Sequence, residues 1–170
     1  WNGESLIGKK IMVWGEQGLG DELMFATCLP DLIDKARPDL CVLACDLRLE
    51  SMFNRSFPKI LTLPIDREKS QGDIFKIPAC EYQIACGDIP KFLRLSDADF
   101  PQPGKWVVPD PVTATKWQER LDALGSGLKV GVAWRGGTLE RFKRAKSSNS
   151  NHWTDILGLS GVHFVNLQYG

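Results

Sequence analysis

Twice in this chain a short apolar run stops at a glycine-containing loop, and a segment expected to be helical follows. That recurrence restricts the fold more than any other feature. Lys10-Ile11-Met12-Val13-Trp14 is closed by Gly15, and Leu128 to Trp134 is followed by a basic loop, Arg135 to Ser150, that contains Gly136 and Gly137. A short apolar run bounded by glycine reads as a buried strand. A strand feeding a helix at once is the start of a βαβ unit, so the expected class is α/β, with parallel strands covered on both faces.

The segments between follow the same alternation. Asp21 to Ala36 carries Leu23, Met24, Ala26, Leu29, Leu32 and Ile33 at helical spacing, with Pro30 expected to bend or restart the helix because it removes a backbone donor. Leu40 to Cys45 reads as a second buried strand, Asp46 as the cap of a helix through Leu47, Leu49, Met52 and Phe53, and Ile60 to Leu63 as a third strand stopped by Pro64. Residues 66–79 are polar and irregular, Tyr82 to Cys86 is a short strand, and Ile89 to Leu95 a brief helix. Prolines 101, 103, 109 and 111 then mark a linker around Trp106-Val107-Val108. Asp110-Pro111 is a cap followed by proline at the first helical position, opening a helix through Trp117, Leu121 and Leu124 that Gly125-Ser126-Gly127 ends. After the second strand and its basic loop come a short helix near His152 to Leu159 and a strand at Phe164 to Leu167. The predicted division is a Rossmann-like domain over 1–110, a linker helix over 111–127, and the first βαβ unit of a second, incomplete domain over 128–170.

Composition excludes several classes. The 170 residues hold 21 Lys plus Arg against 21 Asp plus Glu, a net charge of zero, so no field of one sign draws the chain to nucleic acid or an anionic membrane. No apolar run reaches the length of a membrane span. Five cysteines, an odd number placed in apolar segments, predict reduced, buried thiols and a cytoplasmic setting. Cys41 and Cys45 share a strand face but stand too far apart for one ion, and no metal is expected.

Two loops could carry chemistry. In Gly15-Glu16-Gln17-Gly18-Leu19-Gly20-Asp21 the glycine spacing is neither the dinucleotide fingerprint nor a phosphate-cradling loop, and Asp21 would repel a phosphate. The loop suits presenting a carboxylate to a hydroxyl, as base or acceptor, but on spacing alone Asp21 reads first as a helix cap that complements the helix dipole. The second loop, Arg135-Gly136-Gly137-Thr138 with Arg141, Lys143, Arg144 and Lys146, pairs backbone amides with cations, which suits a diphosphate. It reads otherwise as a solvated basic loop. An acidic and a basic loop, each at a sheet's carboxyl edge, could face each other across a cleft, the layout of a group-transfer enzyme.

The stretch Trp14-Gly15-Glu16-Gln17-Gly18-Leu19-Gly20-Asp21-Glu22-Leu23-Met24-Phe25-Ala26 resembles a domain found downstream of tetratricopeptide repeats in bacterial proteins. That domain is similar to family 9 glycosyltransferases, the ADP-heptose:lipopolysaccharide heptosyltransferases. The resemblance continues through Arg55-Ser56-Phe57-Pro58, Val130 to Gly137 and Phe164-Val165-Asn166-Leu167-Gln168, and Trp1-Asn2-Gly3 looks like the junction after the repeats.

The resemblance implies a GT-B architecture, two Rossmann-like halves with the active site between them. It implies transfer of a sugar, heptose in the family, from a nucleotide-sugar to a carbohydrate, lipid-linked or protein acceptor, with inversion. The family's Gly-Asp motif falls on Gly20-Asp21 and makes Asp21 the base. Glu16, Gln17, Gly18 and Gly20 are then acceptor-side residues, and Arg135, Gly136, Gly137, Arg144 and Lys146 the group that steadies the donor diphosphate. No cofactor beyond the nucleotide-sugar substrate is implied. The family's later nucleoside-holding segments do not occur before Gly170, so this piece by itself is expected to be inactive. A binding or scaffold module that keeps the fold without the chemistry is the alternative.

Overall fold

A computed structural model describes residues 1–16, 18–66, 78–100, 104–136, 147–148 and 150–168. The chain divides into two compact units, Trp1–Asp110 and Pro111–Gly170, so the helix after Asp110 belongs to the second unit.

The first unit is an α/β domain on four parallel strands: β1 (Lys10–Trp14), β2 (Leu40–Asp46), β3 (Leu61–Ile65) and β4 (Tyr82–Ala85), in the order β3-β2-β1-β4. This is the order of the first four strands of a doubly wound sheet. Register is regular: Lys10 to Trp14 oppose Leu40 to Ala44, and Ile11 to Trp14 oppose Tyr82 to Ala85. Strand β2 lies between two neighbours and is buried from Cys41 to Asp46, which is why its sequence is a continuous apolar run without alternation. Ile11, Val13, Leu43, Leu29, Leu32 and Phe53 are among the buried side chains of one core.

Helix α1 (Leu19–Ala26) follows β1, and the chain restarts at Leu29 with Pro30 in the first turn of α2 (Leu29–Asp31) before a π-helical turn over Leu32–Ala36. The proline therefore acts as a restart, where its missing donor costs nothing. Arg94 stitches the break: its guanidinium, 5% exposed, donates to Asp31 Oδ2 at 2.9 Å, to Thr27 Oγ1 at 3.1 Å and to the Thr27 carbonyl at 2.5 Å. Arg37, at φ 53°, turns the chain out of the helix.

Some boundaries differ from expectation. Strand β3 runs from Leu61 through Pro64 to Ile65 and is not stopped by the proline. Among the described residues it is an edge strand, laddered on one side, where a residue without N–H is tolerated. Strand β4 ends at Ala85, because Cys86 opens a 3₁₀ turn over Cys86–Asp88 that leads to α4 (Pro90–Leu93). Most of the irregular 66–79 stretch lies outside the described residues.

Helix α3 (Glu50–Ser56) shows what Arg55-Ser56-Phe57 does. Arg55 Nε donates to the Val108 carbonyl at 3.2 Å, Val108 N–H donates to Ser56 Oγ at 2.9 Å, and Phe57 stacks on Trp106 at 5.9 Å. The exit segment is thereby strapped onto the first unit.

The second unit holds α5 (Pro111–Asp122), the parallel pair β5 (Leu128–Val132) and β6 (Val162–Asn166), and α6 (Thr154–Leu157) after a 3₁₀ turn at Ser150–Trp153. Leu128 to Val132 oppose Val162 to Asn166. Ala133 and Trp134 lie beyond β5. Among the described residues no helix is long and apolar enough to cross a membrane.

Candidate functional site

In a parallel sheet every strand delivers its carboxyl end to one rim. From β1 the chain passes through α1 to β2 on one side, while β4 joins β1 on the other, so the rim between β1 and β4 is the topological switch point where such sheets take ligands. The residues delivered there are Gly15 and Glu16 after β1, and Cys86 and Gly87 after β4.

Three acidic side chains organise this rim. Glu22, in the first turn of α1, is 3% exposed, and its Oε2 accepts the Asp46 N–H at 2.9 Å, tying the helix to the end of β2. A side chain at Gly15 would put its Cβ 2.5 Å from Glu22 Cδ, so Gly15 is glycine because Glu22 lies across it. Asp46 accepts from the Arg48 backbone at 3.0 Å and from Nε and Nη2 of its guanidinium, each at 2.9 Å, a forked pair. Glu16, partly buried, lies with Oε1 2.6 Å from where a Gly87 Cβ would stand. Burial first, then the neighbouring Cys28, Glu22 and Glu16, push the Cys86 thiol up to about 12, so it stays protonated and is no nucleophile.

Asp21 is half-buried on the same first turn. Its Oδ2 accepts the N–H of the cap residue Gly18 at 3.1 Å, one half of a capping box whose other half a glycine cannot return. Its other oxygen takes no protein hydrogen bond among the described residues. Gly18 and Gly20 are exposed, and nothing lies within 4 Å of a Cβ built on Gly20. The structure thus brings Glu16, Gly18, Gly20 and Asp21 to one strand-to-helix turn; Gln17 lies outside the described residues. Spacing did not reveal Glu22 or Gly87, since each matters through a residue distant in sequence. Their signal was an acid and a glycine beside the ends of apolar runs.

In the second unit the end of β5 is pinned from β6. Gln168 Oε1 accepts the Trp134 N–H at 3.2 Å and the Arg135 N–H at 2.8 Å, a role the sequence did not announce. Arg135 is exposed and Gly136 half-buried. Gly137, Arg141, Lys143, Arg144 and Lys146 lie outside the described residues. Nearby, an apolar pocket of ≈ 260 Å³ is lined by Val132, Trp134, Trp153, Leu157, Phe164, Val165 and Asn166. The Asn166 Oδ1 is taken by the Gln168 N–H at 2.8 Å. Charge is unevenly divided: residues 1–110 hold 13 Lys plus Arg against 17 Asp plus Glu, and residues 111–170 hold 8 against 4. Among the described residues no three of His, Cys, Asp and Glu converge to hold a metal.

Fold and rim together define a parallel α/β domain with a Rossmann-compatible sheet and a carboxylate-lined switch point. The chain is 38% identical over 178 residues to Protein FlbA of Caulobacter vibrioides, in an alignment that takes in all of this chain and 30% of FlbA. It therefore spans less than a third of that relative's length. No family model and no solved structure matches the chain.

Proposed function

We propose that this chain is the acceptor-side domain, with the start of the donor-side domain, of a GT-B glycosyltransferase of heptosyltransferase type. The observation that carries the reading is the place of Asp21: a half-buried carboxylate on the first turn after a glycine loop, at the carboxyl rim of a parallel sheet, with one oxygen held by Gly18. In the reaction, an acceptor oxygen attacks the anomeric carbon from the face opposite the leaving group. The bond from that carbon to the phosphate oxygen breaks, the hydroxyl proton passes to Asp21, and the nucleoside diphosphate departs with the bonding pair. Glu16, Gln17, Gly18 and Gly20 form the acceptor side. Arg135, Gly136, Gly137, Arg144 and Lys146 steady the diphosphate, in keeping with the positive balance of residues 111–170. The acceptor is a carbohydrate, a lipid-linked sugar or a protein, tetratricopeptide repeats precede the domain, and the reaction runs in the cytoplasm.

The test is release of nucleoside diphosphate by the full-length parent from a panel of sugar nucleotides. Asp21→Asn should lower turnover at least about 100-fold while leaving the melting temperature near that of the wild type. One observation favours a second reading: the Asp21–Gly18 bond already gives Asp21 a structural role at the start of α1, and a scaffold module would need nothing more from it. No turnover and no binding of any sugar nucleotide would establish that alternative.

A further inference from the structure

We infer that Gly87 is a specificity-determining residue of the acceptor edge: by lacking a side chain it lets the Glu16 carboxylate sit at the β1–β4 switch point, where that carboxylate binds hydroxyl groups of a pyranose. This rests on the glycosyl-transfer reading for its ligand class and on the geometry for its mechanism. Gly87 is not among the residues at positive φ, so backbone conformation does not require glycine there. Room does. A Cβ at position 87 would stand 2.6 Å from Glu16 Oε1, and 3.3 Å and 3.5 Å from the Phe25 ring. The carboxylate thus stands in the space a side chain would take, and the Phe25 ring borders that same space.

The contrast with Gly15 makes this separable from folding. A side chain at Gly15 meets Glu22 at Cδ, Oε2 and Cγ, all within 2.9 Å, and Glu22 is buried and bonded to Asp46. A side chain at Gly87 meets the far end of a partly exposed glutamate, which can swing away. Gly87→Ala therefore moves the carboxylate without taking the core apart. A carboxylate accepts O–H donors strongly, and a pyranose ring bears several of them.

The experiment uses the 170-residue chain with Glu16 observed through its side-chain carboxyl carbon by NMR, titrated with methyl α-glucoside, methyl α-galactoside and methyl α-mannoside. At least one should move the Glu16 signal saturably. Gly87→Ala should shift the unliganded Glu16 signal, keep the melting temperature within about 4 °C of wild type, and weaken that glycoside about tenfold or more. Glu16→Gln should weaken it similarly, and the double variant should bind no worse than Glu16→Gln alone, because the two changes remove one interaction. Additive losses, an unmoved Glu16 signal in Gly87→Ala, or a Glu16 silent to all three glycosides would overturn the inference. If Glu16 behaves as stated while the parent turns over no sugar nucleotide, glycosyl transfer falls and the hydroxyl-binding edge stands. If the parent transfers sugar with Glu16 silent, the reverse holds.

Discussion

The two units are built from the same kind of strand-loop-helix segment, yet only one is closed. In residues 1–110 four parallel strands bury Ile11, Val13, Val42, Leu43 and Phe53 almost completely, whereas in residues 111–170 Val132 is the one buried hydrophobic residue among those described. Helices α5 and α6 bury none of their residues, and Val112, Trp117, Leu128, Ile156 and Leu167 remain exposed. Two parallel strands pair only along their shared edge and, with a connecting helix, have too few neighbours to hide both faces. Local pattern is thus enough to form the elements, and strand number decides whether a core follows.

The sharpest way to break this contrast is to delete core volume. Phe53→Ala should cost the first unit about 3–5 kcal/mol, read by denaturant unfolding, while Trp117→Ala should change stability by about 0.5 kcal/mol or less. Equal effects would end the distinction. Next, Arg94→Ala should cost about 3 kcal/mol, since it leaves Asp31 unpaired and the Thr27 carbonyl without its donor. Arg94→Lys should recover only part of that, because an ammonium cannot reproduce the fork.

A third effect concerns alkaline pH. Burial pushes the thiols of Cys41 and Cys86 up to about 12, so between their ordinary value of 9.0 and that point the folded chain holds protons that the unfolded chain releases. Stability is therefore full below pH 9 and falls as pH rises, with a slope of at most about 1.4 kcal/mol per pH unit for each thiol. Urea melts from pH 8 to 10.5 should show it, and Cys41→Ala with Cys86→Ala should flatten it. All five cysteines lie in residues 1–110, so amide exchange in β5 and β6 should not follow that slope. The smallest expected effect is Gly20→Ala, which meets no neighbouring atom in α1 and should stabilise by up to about 1 kcal/mol.

What could be read from the sequence was local. β1, β2, β4, β5 and α5 follow from apolar runs, caps and glycine stops, and Asp21 falls at the predicted strand-to-helix turn. What could not be read depended on neighbours. Pro64 sits in a strand because that strand is at the edge, and nothing in Leu61 to Ile65 states its place in the sheet. Glu22 looks like one more acid in an acidic first turn; it is buried because Gly15 leaves it space and the Asp46 amide gives it a partner. Gly87 resembles an ordinary turn glycine until Glu16 is seen lying over it.

The strap of Trp106 and Val108 across α3 has a practical consequence for shortening this protein. A fragment ending after Asp110 keeps Phe57 roofed by an indole and leaves the guanidinium of Arg55 with its carbonyl. A fragment stopped near Phe100 strips that roof away, baring an aromatic surface that invites clumping during purification. The thriftier cut is the longer one.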